Sequence, residues 1–455
     1  MKFFGNIKEQ TLYLLLLFFT ALVYLVNYFY PHSVFFGFNQ IKTNNFSQIA
    51  LFFLYFAILF FLYGKIRKKY IFFIIASLSF FALFLIFKSN FINQDGKDLC
   101  YKIFYEVVPA QGYFVTLDEI GEHYIHSKFW YITNKLFNWS TVLSYQVLSS
   151  VAGAFFIFFL LLFSEKNFPG KSINFFIAVI SGAFMQMFFG DVENYSMVSA
   201  LIIIYLYSSY LYLESKKSVI VPSGMLALAI CFHLLAGWLI PGLLYLYYLS
   251  FKRKHFKEMI IGIFIFAMII ICILIFIHLQ GAPLKKLFYR SGFYQYGIYA
   301  LNCEFTNKIG NQSNNIIEIF LSFAYNIIRF FNRDTFAYYL DIFNLLYLIF
   351  PAVPLLIPLI LYKKIPLSAF NIFMAISSIF MLAYMLLWKA RLGVYNDWNL
   401  FAPCAIPFSI FCWYNFFRIS QNELSCKMKF FYLYVSLSII HTYSWIISNH
   451  DIILI

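Results

Sequence analysis

The stretch from Ser172 to Tyr195, SINFFIAVISGAFMQMFFGDVENY, decides the fold class of this chain. Its apolar run, 173–189, is long enough to form a membrane-spanning helix. Two carboxylates, Asp191 and Glu193, follow directly after that run. Ionisable side chains beside hydrocarbon are costly unless they bind something. The stretch therefore predicts a transmembrane helix and a candidate functional site where that helix ends.

The composition extends this prediction to the whole chain. Of its 455 residues, 62% are apolar and 11% are charged, and the mean hydropathy is +0.77. These values are typical of a polytopic membrane protein, and they leave no soluble domain of ordinary size. The seven cysteines are scattered without a CxxC pair, so they indicate neither a structural zinc site nor a disulfide framework.

Apolar segments recur along the sequence and predict an all-α fold of about 13 transmembrane helices. The predicted spans are 11–31, 49–64, 70–88, 140–163, 172–190, 196–214, 218–233, 236–250, 259–279, 338–361, 366–388, 401–417 and 430–447. The stretch 218–250 contains Pro222 and Pro241, and each half is short for a crossing, so two spans and a re-entrant pair both fit it. The segment 316–331 is expected to lie along the outer interface of the membrane.

Basic residues fall on alternate loops, and this pattern predicts the topology. Under the positive-inside rule the amino terminus is cytoplasmic and the carboxyl terminus is outside. The acidic residues played no part in that assignment, yet the whole net charge of +14 falls on the cytoplasmic side and the outer face is balanced. The basic composition therefore follows from topology and does not indicate nucleic-acid binding. We expect a multi-pass protein of the cytoplasmic membrane.

Two outer loops, 89–139 and 280–337, are long enough to carry chemistry. The first is acidic and contains Asp95 and the sequence DEIGEHYIH at 118–126. Within that sequence, positions 119, 122, 123 and 126 are spaced to share one face of a short helix. The second loop is basic and aromatic, with Arg290 among its cations. An acidic loop and a basic loop therefore face one compartment.

Transfer of a sugar from a lipid-linked phosphate would use both kinds of loop. A carboxylate base deprotonates the acceptor hydroxyl, and cations or a metal ion take up the charge of the departing phosphate. Asp191 and Glu193 supply oxygen ligands of the kind that Mg²⁺ or Mn²⁺ prefers, so they are candidate metal ligands. The lipid carrier would explain why the chain is embedded in a membrane.

Five further residues are candidates for binding the donor phosphate or another part of the substrate. His233 lies at a predicted outer turn, and Lys389 and Arg391 lie at the outer end of a span, where an Arg fork suits phosphate oxygens. Arg290 belongs to the basic loop, and Asp397 to the sequence NDWNLFA at 396–402.

Structural roles compete with these assignments. Asp191 and Glu193 could cap the next helix, where acids favour the positive end of the helix dipole. His233 could hydrogen-bond a neighbouring carbonyl, and Lys389 and Arg391 could anchor a helix at the membrane surface. The sequence leaves these alternatives open.

The order of the acids resembles that of polytopic glycosyltransferases of the GT-C fold. In that fold an acidic residue follows a membrane helix in the first outer loop, and many members carry a D-x-D or D-x-E motif in the next. Here Asp95, within NQDGKD, is followed by Asp191-Val-Glu193 in the next outer loop. His126, the YLDIFN sequence at 339–344 and the NDWNLFA sequence also resemble members of this superfamily. The resemblance touches the chain from about residue 90 to 402.

The resemblance implies a GT-C-like catalytic module at 70–455, preceded by an amino-terminal helix pair at 1–69. It also implies a polyprenyl-phosphate sugar donor, an acceptor hydroxyl on a glycan, lipid or protein, and transfer of a hexosyl or pentosyl group with inversion. Asp95 is then the expected catalytic base, with Asp118 and Glu119 as alternative acids.

Two other functional classes remain. A lipid-linked-glycan polymerase or ligase would use the same substrates on the same side, but would depend on outer Arg and His residues more than on paired acids. A secondary transporter would place polar groups near the bilayer midplane in broken helices, usually with internal repeats. Few charges fall inside the predicted spans, and the sequence shows no clear repeat.

Overall fold

The computed structural model describes residues 9–29, 46–107, 119–215, 217–279, 336–361, 365–388, 394, 397–419 and 424–451. The first eleven α-helices are α1 Glu9–Phe29, α2 Phe46–Lys65, α3 Lys69–Ile86, α4 Gln94–Val107, α5 Ile120–Phe137, α6 Thr141–Asn167, α7 Ser172–Ile180, α8 Ser196–Ser215, α9 Ile220–Phe232, α10 Ile240–Lys252 and α11 Phe256–Leu279. The others are α12 Phe336–Ile349, α13 Leu356–Leu361, α14 Ala369–Leu387, α15 Trp398–Phe401, α16 Ala405–Ile419 and α17 Leu424–His450. Short 3₁₀ helices cover Ala183–Phe188, Leu234–Leu239, Val353–Leu355 and Ala402–Cys404. No strand occurs in these ranges, which confirms the predicted all-α fold.

The described helices form a membrane-spanning bundle. Nine of them are long and apolar enough to cross a bilayer. A tenth crossing results if Asp341–Ile349 and Val353–Ile360, which are bent by 93° at a short break, form one span. Each segment of the predicted set of about 13 contains helix. Beyond the nine, Thr11–Leu22 and Ile220–Phe232 are shorter apolar stretches, 338–361 is bent and 172–190 is broken. The stretch 218–250 resolves into the short apolar helix Ile220–Phe232 and a span at Leu234–Lys252.

The predicted continuous span at 172–190 is wrong, because its helix breaks midway. Helix α7 ends before Ser181, and a buried 3₁₀ helix follows the break. Any side chain at Gly182 would lie 2.8 Å from the carbonyl oxygen of Ile349, so the chain here packs against another helix end. The hydroxyl of Thr442 donates to the carbonyl oxygen of Ser181 at 2.6 Å. This bond satisfies a backbone group that the break frees inside the membrane.

One end of the bundle is basic. There the hydroxyl of Tyr63 donates to Glu165 at 2.7 Å, and that of Ser172 donates to the same carboxylate at 2.6 Å. The Lys69 ammonium lies 3.6 Å from the centre of the Tyr63 ring, and the Arg418 guanidinium lies over two further aromatic rings. The carboxylates of the two outer-loop motifs lie at the opposite helix ends. Within the described residues, Lys69 and Arg418 therefore lie at the opposite end of the helices from the outer-loop acids, and the predicted charge balance of each face and its orientation in the membrane stay predictions.

The amino-terminal helix pair packs against the carboxyl-terminal helix α17. The ring of Tyr13 in α1 lies 4.8 Å from that of Phe430, and the ring of Phe52 in α2 lies 4.3 Å from that of Tyr443. Phe52 also contacts Phe189, just before the acidic motif. The pair is thus continuous with the rest of the core, and its separation as a unit at 1–69 stays a prediction.

Replacing Gly153 with alanine is expected to destabilise the bundle. The added carbon would lie 2.5 Å from the Phe84 ring and 2.6 Å from Phe188, and overpacking of this kind costs about 1–3 kcal/mol. Thermal unfolding of the purified protein in nanodiscs measures the effect. Gly64→Ala is the matched control, because nothing lies within 4 Å of its added carbon. Equal melting temperatures for the two variants would contradict this account of the core.

Candidate active site

Asp191 and Glu193 lie in the turn between the 3₁₀ helix and α8. The turn depends on Gly190, whose φ of 65° is in the left-handed region. A side chain at Gly190 would also lie 2.8 Å from the Lys88 side chain. The hydroxyl of Ser149 in α6 donates to the carbonyl oxygen of Asp191 at 2.7 Å. The acidic motif is therefore fixed between the end of α3 and the beginning of α6.

The segment that follows α3 contacts the chain just before the acidic motif. The backbone nitrogen of Ser89 donates to the carbonyl oxygen of Phe189 at 2.7 Å, and the Gln146 amide donates to the carbonyl oxygen of Ser89 at 2.8 Å. The backbone nitrogen of Asn90 donates to the carbonyl oxygen of Asn449 at 3.0 Å. Helices α3, α6 and α17 and the acidic motif therefore meet at one point.

Asp95 lies in the first turn of α4, beside the acidic motif. The side-chain oxygen of Asn93 accepts from the backbone nitrogen of Gly96 at 2.7 Å and caps the helix. Gly96 packs so closely on the other segment that an added carbon would lie 2.5 Å from the carbonyl oxygen of Val192. Asn93 also hydrogen-bonds Glu193. Asp95 and the acidic pair, distant in the sequence, are thus brought together.

Glu119 enters this cluster from the beginning of α5. One of its carboxylate oxygens accepts from the Asn194 amide at 2.9 Å, and the other lies 3.7 Å from Nε2 of His233. The Tyr145 hydroxyl donates to the amide oxygen of Asn194 at 3.2 Å, which orients that amide. The Glu119 side chain is 22% exposed. It is therefore both positioned and accessible, as an acid that contacts a substrate must be.

His233 closes α9 and faces Glu119. Its Nδ1 accepts from the backbone nitrogen of Leu235 at 3.1 Å, so the proton of the neutral ring is on Nε2. Burial lowers the pKa of His233 to about 3. The ring is therefore neutral at physiological pH and can supply a hydrogen bond but no positive charge to a phosphate.

Glu122 and His126 lie behind the acidic motif and are fully buried. One Glu122 oxygen accepts from the backbone nitrogen of Val198 at 2.9 Å, at the positive end of α8. Nε2 of His126 lies 3.4 Å from the other oxygen, and the His126 ring stacks on that of Tyr145 at 3.8 Å. Burial raises the pKa of Glu122 to about 8 and lowers that of His126 to about 3. The shared helix face predicted for these residues points into the protein.

The acidic pair is hard to ionise completely. Loss of solvation raises the pKa of Asp191 to about 7, and a hydrogen bond from the Asn399 amide at 3.4 Å opposes the shift. The pKa of Glu193 is raised well above its ordinary value, first by burial and then by the charge of Asp191, while the hydrogen bond with Asn93 lowers it. A cation or hydrogen-bond donors from a substrate would favour the ionised pair.

Asp397 belongs to the same region. It is buried and precedes α15, and Asn399 in that helix reaches Asp191. Four candidates lie outside the described residues: Asp118, Arg290, Lys389 and Arg391.

A complete metal site is not present among the described residues. No group of three or more His, Cys, Asp or Glu side chains in these ranges could hold a metal ion. Asp191 and Glu193 therefore offer a pair of oxygen ligands without a third protein ligand of these types. The expected binding of Mg²⁺ or Mn²⁺ stays a prediction.

Three asparagines that orient the carboxylates were missed by the sequence analysis. Asn93 bonds Glu193, Asn194 bonds Glu119, and Asn399 bonds Asp191. Each of these asparagines lies within two residues of a candidate acid in the sequence. That closeness was the one feature that could have indicated a role in orienting carboxylates.

Two crystal structures have a similar fold. ArnT from Cupriavidus metallidurans bound to undecaprenyl phosphate superposes with a TM-score of 0.53 at 10% sequence identity, covering 84% of this chain and 76% of that chain. ArnT from the same organism in the apo state gives a TM-score of 0.50 at 8% identity with the same coverage. No family model and no curated protein matches the sequence. At this identity the likeness shows the fold, and it confirms the predicted GT-C-like arrangement.

Glu122→Gln is expected to remove a pH-dependent loss of stability. The pKa of Glu122 rises on folding from about 4.5 to about 8, so folding favours the protonated carboxyl. The protonated Glu122 carboxyl therefore makes its full contribution to the free energy of unfolding below roughly pH 4, and this contribution is lost as the pH rises through 8. The variant should melt close to the wild type at pH 5 and above it at pH 9, as measured by thermal denaturation in nanodiscs.

Asp98→Asn is the matched control, since Asp98 is an exposed carboxylate at the same end of the bundle. Asp98→Asn should melt at the same temperature as the wild type at both pH 5 and pH 9. A Glu122→Gln protein that melts below the wild type at pH 9 would show that ionised Glu122 stabilises the fold.

Proposed function

We propose that this protein is a membrane glycosyltransferase that moves a sugar from a polyprenyl-phosphate donor to an acceptor hydroxyl at the outer face of the cytoplasmic membrane. One observation carries the proposal. Carboxylates from three distant segments, represented by Asp95, Glu119 and Asp191, meet at one end of a GT-C-like bundle. The ArnT structure that shares this fold was determined bound to undecaprenyl phosphate, which supports a polyprenyl-phosphate partner.

Asp95 is the proposed base, and Glu119 is the alternative. The carboxylate takes the proton of the acceptor hydroxyl, and the acceptor oxygen forms a bond to the anomeric carbon of the sugar. The bond from that carbon to the phosphate oxygen breaks, and the lipid phosphate leaves with its electron pair. Attack opposite the leaving group inverts the anomeric configuration. The neutral His233 ring would donate a hydrogen bond to substrate in this site.

The lipid phosphate needs positive partners, because the described part of the site is acidic. Lys389, Arg391 and Arg290 are the proposed cations. Asp397 is the proposed contact to the substrate from the α15 side. We further propose that the transferred group is a hexose or pentose and that the acceptor is a glycan, lipid or protein.

Single substitutions test the proposed base. Asp95→Asn should reduce transfer from a labelled polyprenyl-phosphate sugar in membranes by about 10²–10⁴-fold, the usual contribution of a general base. Glu119→Gln should reduce it less, by weakening acceptor binding. Asp98→Asn, on the same helix as Asp95, should retain wild-type transfer. A larger loss in Glu119→Gln than in Asp95→Asn assigns the base to Glu119, and full activity in both refutes the mechanism.

A divalent ion held by Asp191 and Glu193 is a separate proposal, and no step above depends on it. If transfer falls on treatment with EDTA and recovers with Mg²⁺ or Mn²⁺, the pair is the first candidate for the ligands. Asp191→Asn should then raise the metal concentration needed for half-maximal recovery. Undiminished transfer in EDTA would contradict the metal proposal and leave the base mechanism intact.

A further inference from the structure

The turn between α10 and α11 concentrates positive charge on an exposed surface. Residues 251–257, with the sequence FKRKHFK, include three lysines and an arginine, and all seven side chains are exposed. Within the part of the chain that the structure describes, none of these four cations forms a salt bridge with a carboxylate. This segment is called the basic turn. Its charge is available to an anionic ligand.

The basic turn lies at the end of the bundle opposite the candidate active site. The span Leu234–Lys252 begins next to His233, at the acidic end, and ends at the turn. There the Arg253 guanidinium lies 5.5 Å from the centre of the Tyr212 ring, and the Tyr212 hydroxyl lies 2.6 Å from that of Ser250. A span of 19 residues is roughly 30 Å long, so the basic turn and the acids lie at opposite membrane surfaces.

Lys254 occupies a backbone position that favours glycine. Its φ of 63° is in the left-handed region, where it forms the C-terminal cap of α10. The backbone nitrogen of Lys254 donates to the carbonyl oxygen of Phe251 at 3.0 Å, and that of His255 donates to the carbonyl oxygen of Ser250 at 2.9 Å. Glycine usually occupies this position because it has no Cβ. A strained residue of this kind indicates a function for its side chain.

The basic turn borders the lipid-facing side of the bundle. Phe251 and Phe256 are 58% and 44% exposed, and their rings lie 5.2 Å apart. Helix α11, which begins at the turn, has a mean hydropathy of 3.5 and only 11% of its span is buried, as expected for a helix surrounded by lipid. Aromatic rings beside cations at the end of a span are typical of the membrane interface. The four cations therefore lie at the level of lipid headgroups.

We propose that the basic turn binds the headgroup phosphate of an anionic phospholipid, with phosphatidylglycerol as the simplest example. The Arg253 guanidinium, positioned over Tyr212, supplies paired donors to the phosphate oxygens, and Lys254 supplies an exposed ammonium. The Phe251 and Phe256 rings contact the acyl chains of the same lipid. Phosphatidylcholine carries the same phosphate, but its choline cation offsets the charge, so the turn discriminates against it. This site stands whether or not the proposed transfer reaction is correct.

Photolabelling from two lipids tests the preference. The full chain is reconstituted in phosphatidylcholine nanodiscs that contain a minor fraction of either phosphatidylglycerol or phosphatidylcholine with a diazirine near the glycerol end of one acyl chain. Labelled residues are mapped by mass spectrometry, and yields are normalised to Leu78, a lipid-exposed residue of α3. Labelling of Phe251 and Phe256 by phosphatidylglycerol should exceed that by phosphatidylcholine at least fivefold, about the effect of one basic residue at an anionic surface. Equal labelling by the two lipids overturns the proposal.

A matched pair of variants separates the basic turn from the general charge of this end. Lys254→Gln and Lys166→Gln each remove one exposed cation at the basic end of the bundle. Lys254→Gln should reduce the preference for phosphatidylglycerol about fivefold, and Lys166→Gln should leave it unchanged. Equal losses in the two variants would show that only the total charge matters, and the assignment to the turn would be wrong.

Lys254→Gly tests whether the side chain serves the fold instead. Because glycine suits the left-handed φ, this variant should melt in phosphatidylcholine nanodiscs at no lower temperature than the wild type, while losing preference as Lys254→Gln does. A lower melting temperature would show that Lys254 stabilises the fold itself, which contradicts the proposed role.

Inorganic phosphate distinguishes lipid from a soluble anion. The labelling of the wild type is repeated in phosphate buffer and in chloride of equal ionic strength. The preference for phosphatidylglycerol should be the same in both. Its loss in phosphate alone would assign the turn to free phosphate and overturn the lipid site.

Discussion

Hydrogen bonds to three acidic side chains determine the shape of the acidic end of the bundle. A buried carboxylate without a partner is strongly destabilising. Glu122 therefore accepts from the first turn of α8, while Glu119 and Glu193 bind the amides of asparagines. Two of these bonds join the beginning of α5 to the 191–198 stretch, and the third joins the beginning of α4 to it. The acids whose burial costs solvation energy are thus the same groups that connect α4, α5 and α8.

The interior of the bundle supports this end through irregular helices. The helix after residue 172 breaks at Gly182, against the end of α12, where the chain bends by 93°. Two interrupted helices therefore meet in the core, and Thr442 binds a carbonyl that the first break exposes. The second part of the broken segment leads directly into Gly190 and the acidic pair. The position of the carboxylates is consequently set by close packing deep in the membrane as well as by contacts at the surface.

The sequence predicted the positions of most helices, but it did not predict which side of α5 is buried. Hydropathy summed over a long apolar run predicted the span at 140–163, which α6 (Thr141–Asn167) confirms, because such a run has no other way to lie in a membrane. Hydropathy did not predict the break at Gly182, because the Ser181-Gly182 pair interrupts the apolar run only briefly and the break packs against the distant Ile349. Helical spacing put Glu122 and His126 together, but only the distant partner of Glu122 shows that they face inward. The orienting asparagines were missed for the same reason, because a hydrogen-bond partner far along the chain is invisible in a local pattern.

The contacts between the segment after α3 and α17 also constrain the order in which the protein can assemble. The Asn90 backbone and side chain bind the carbonyl oxygens of Asn449 and His450, the latter 360 residues further along the chain, and His450 in turn bonds the carbonyl oxygen of Lys88. During synthesis, helices α1 to α3 enter the membrane long before α17 exists. The segment after α3 must therefore wait, with these backbone groups bound to water or lipid headgroups, until α17 is inserted. The segment after α3 is thus completed by residues made about 360 positions later, so a ribosome that stalls before α17 leaves the site unfinished.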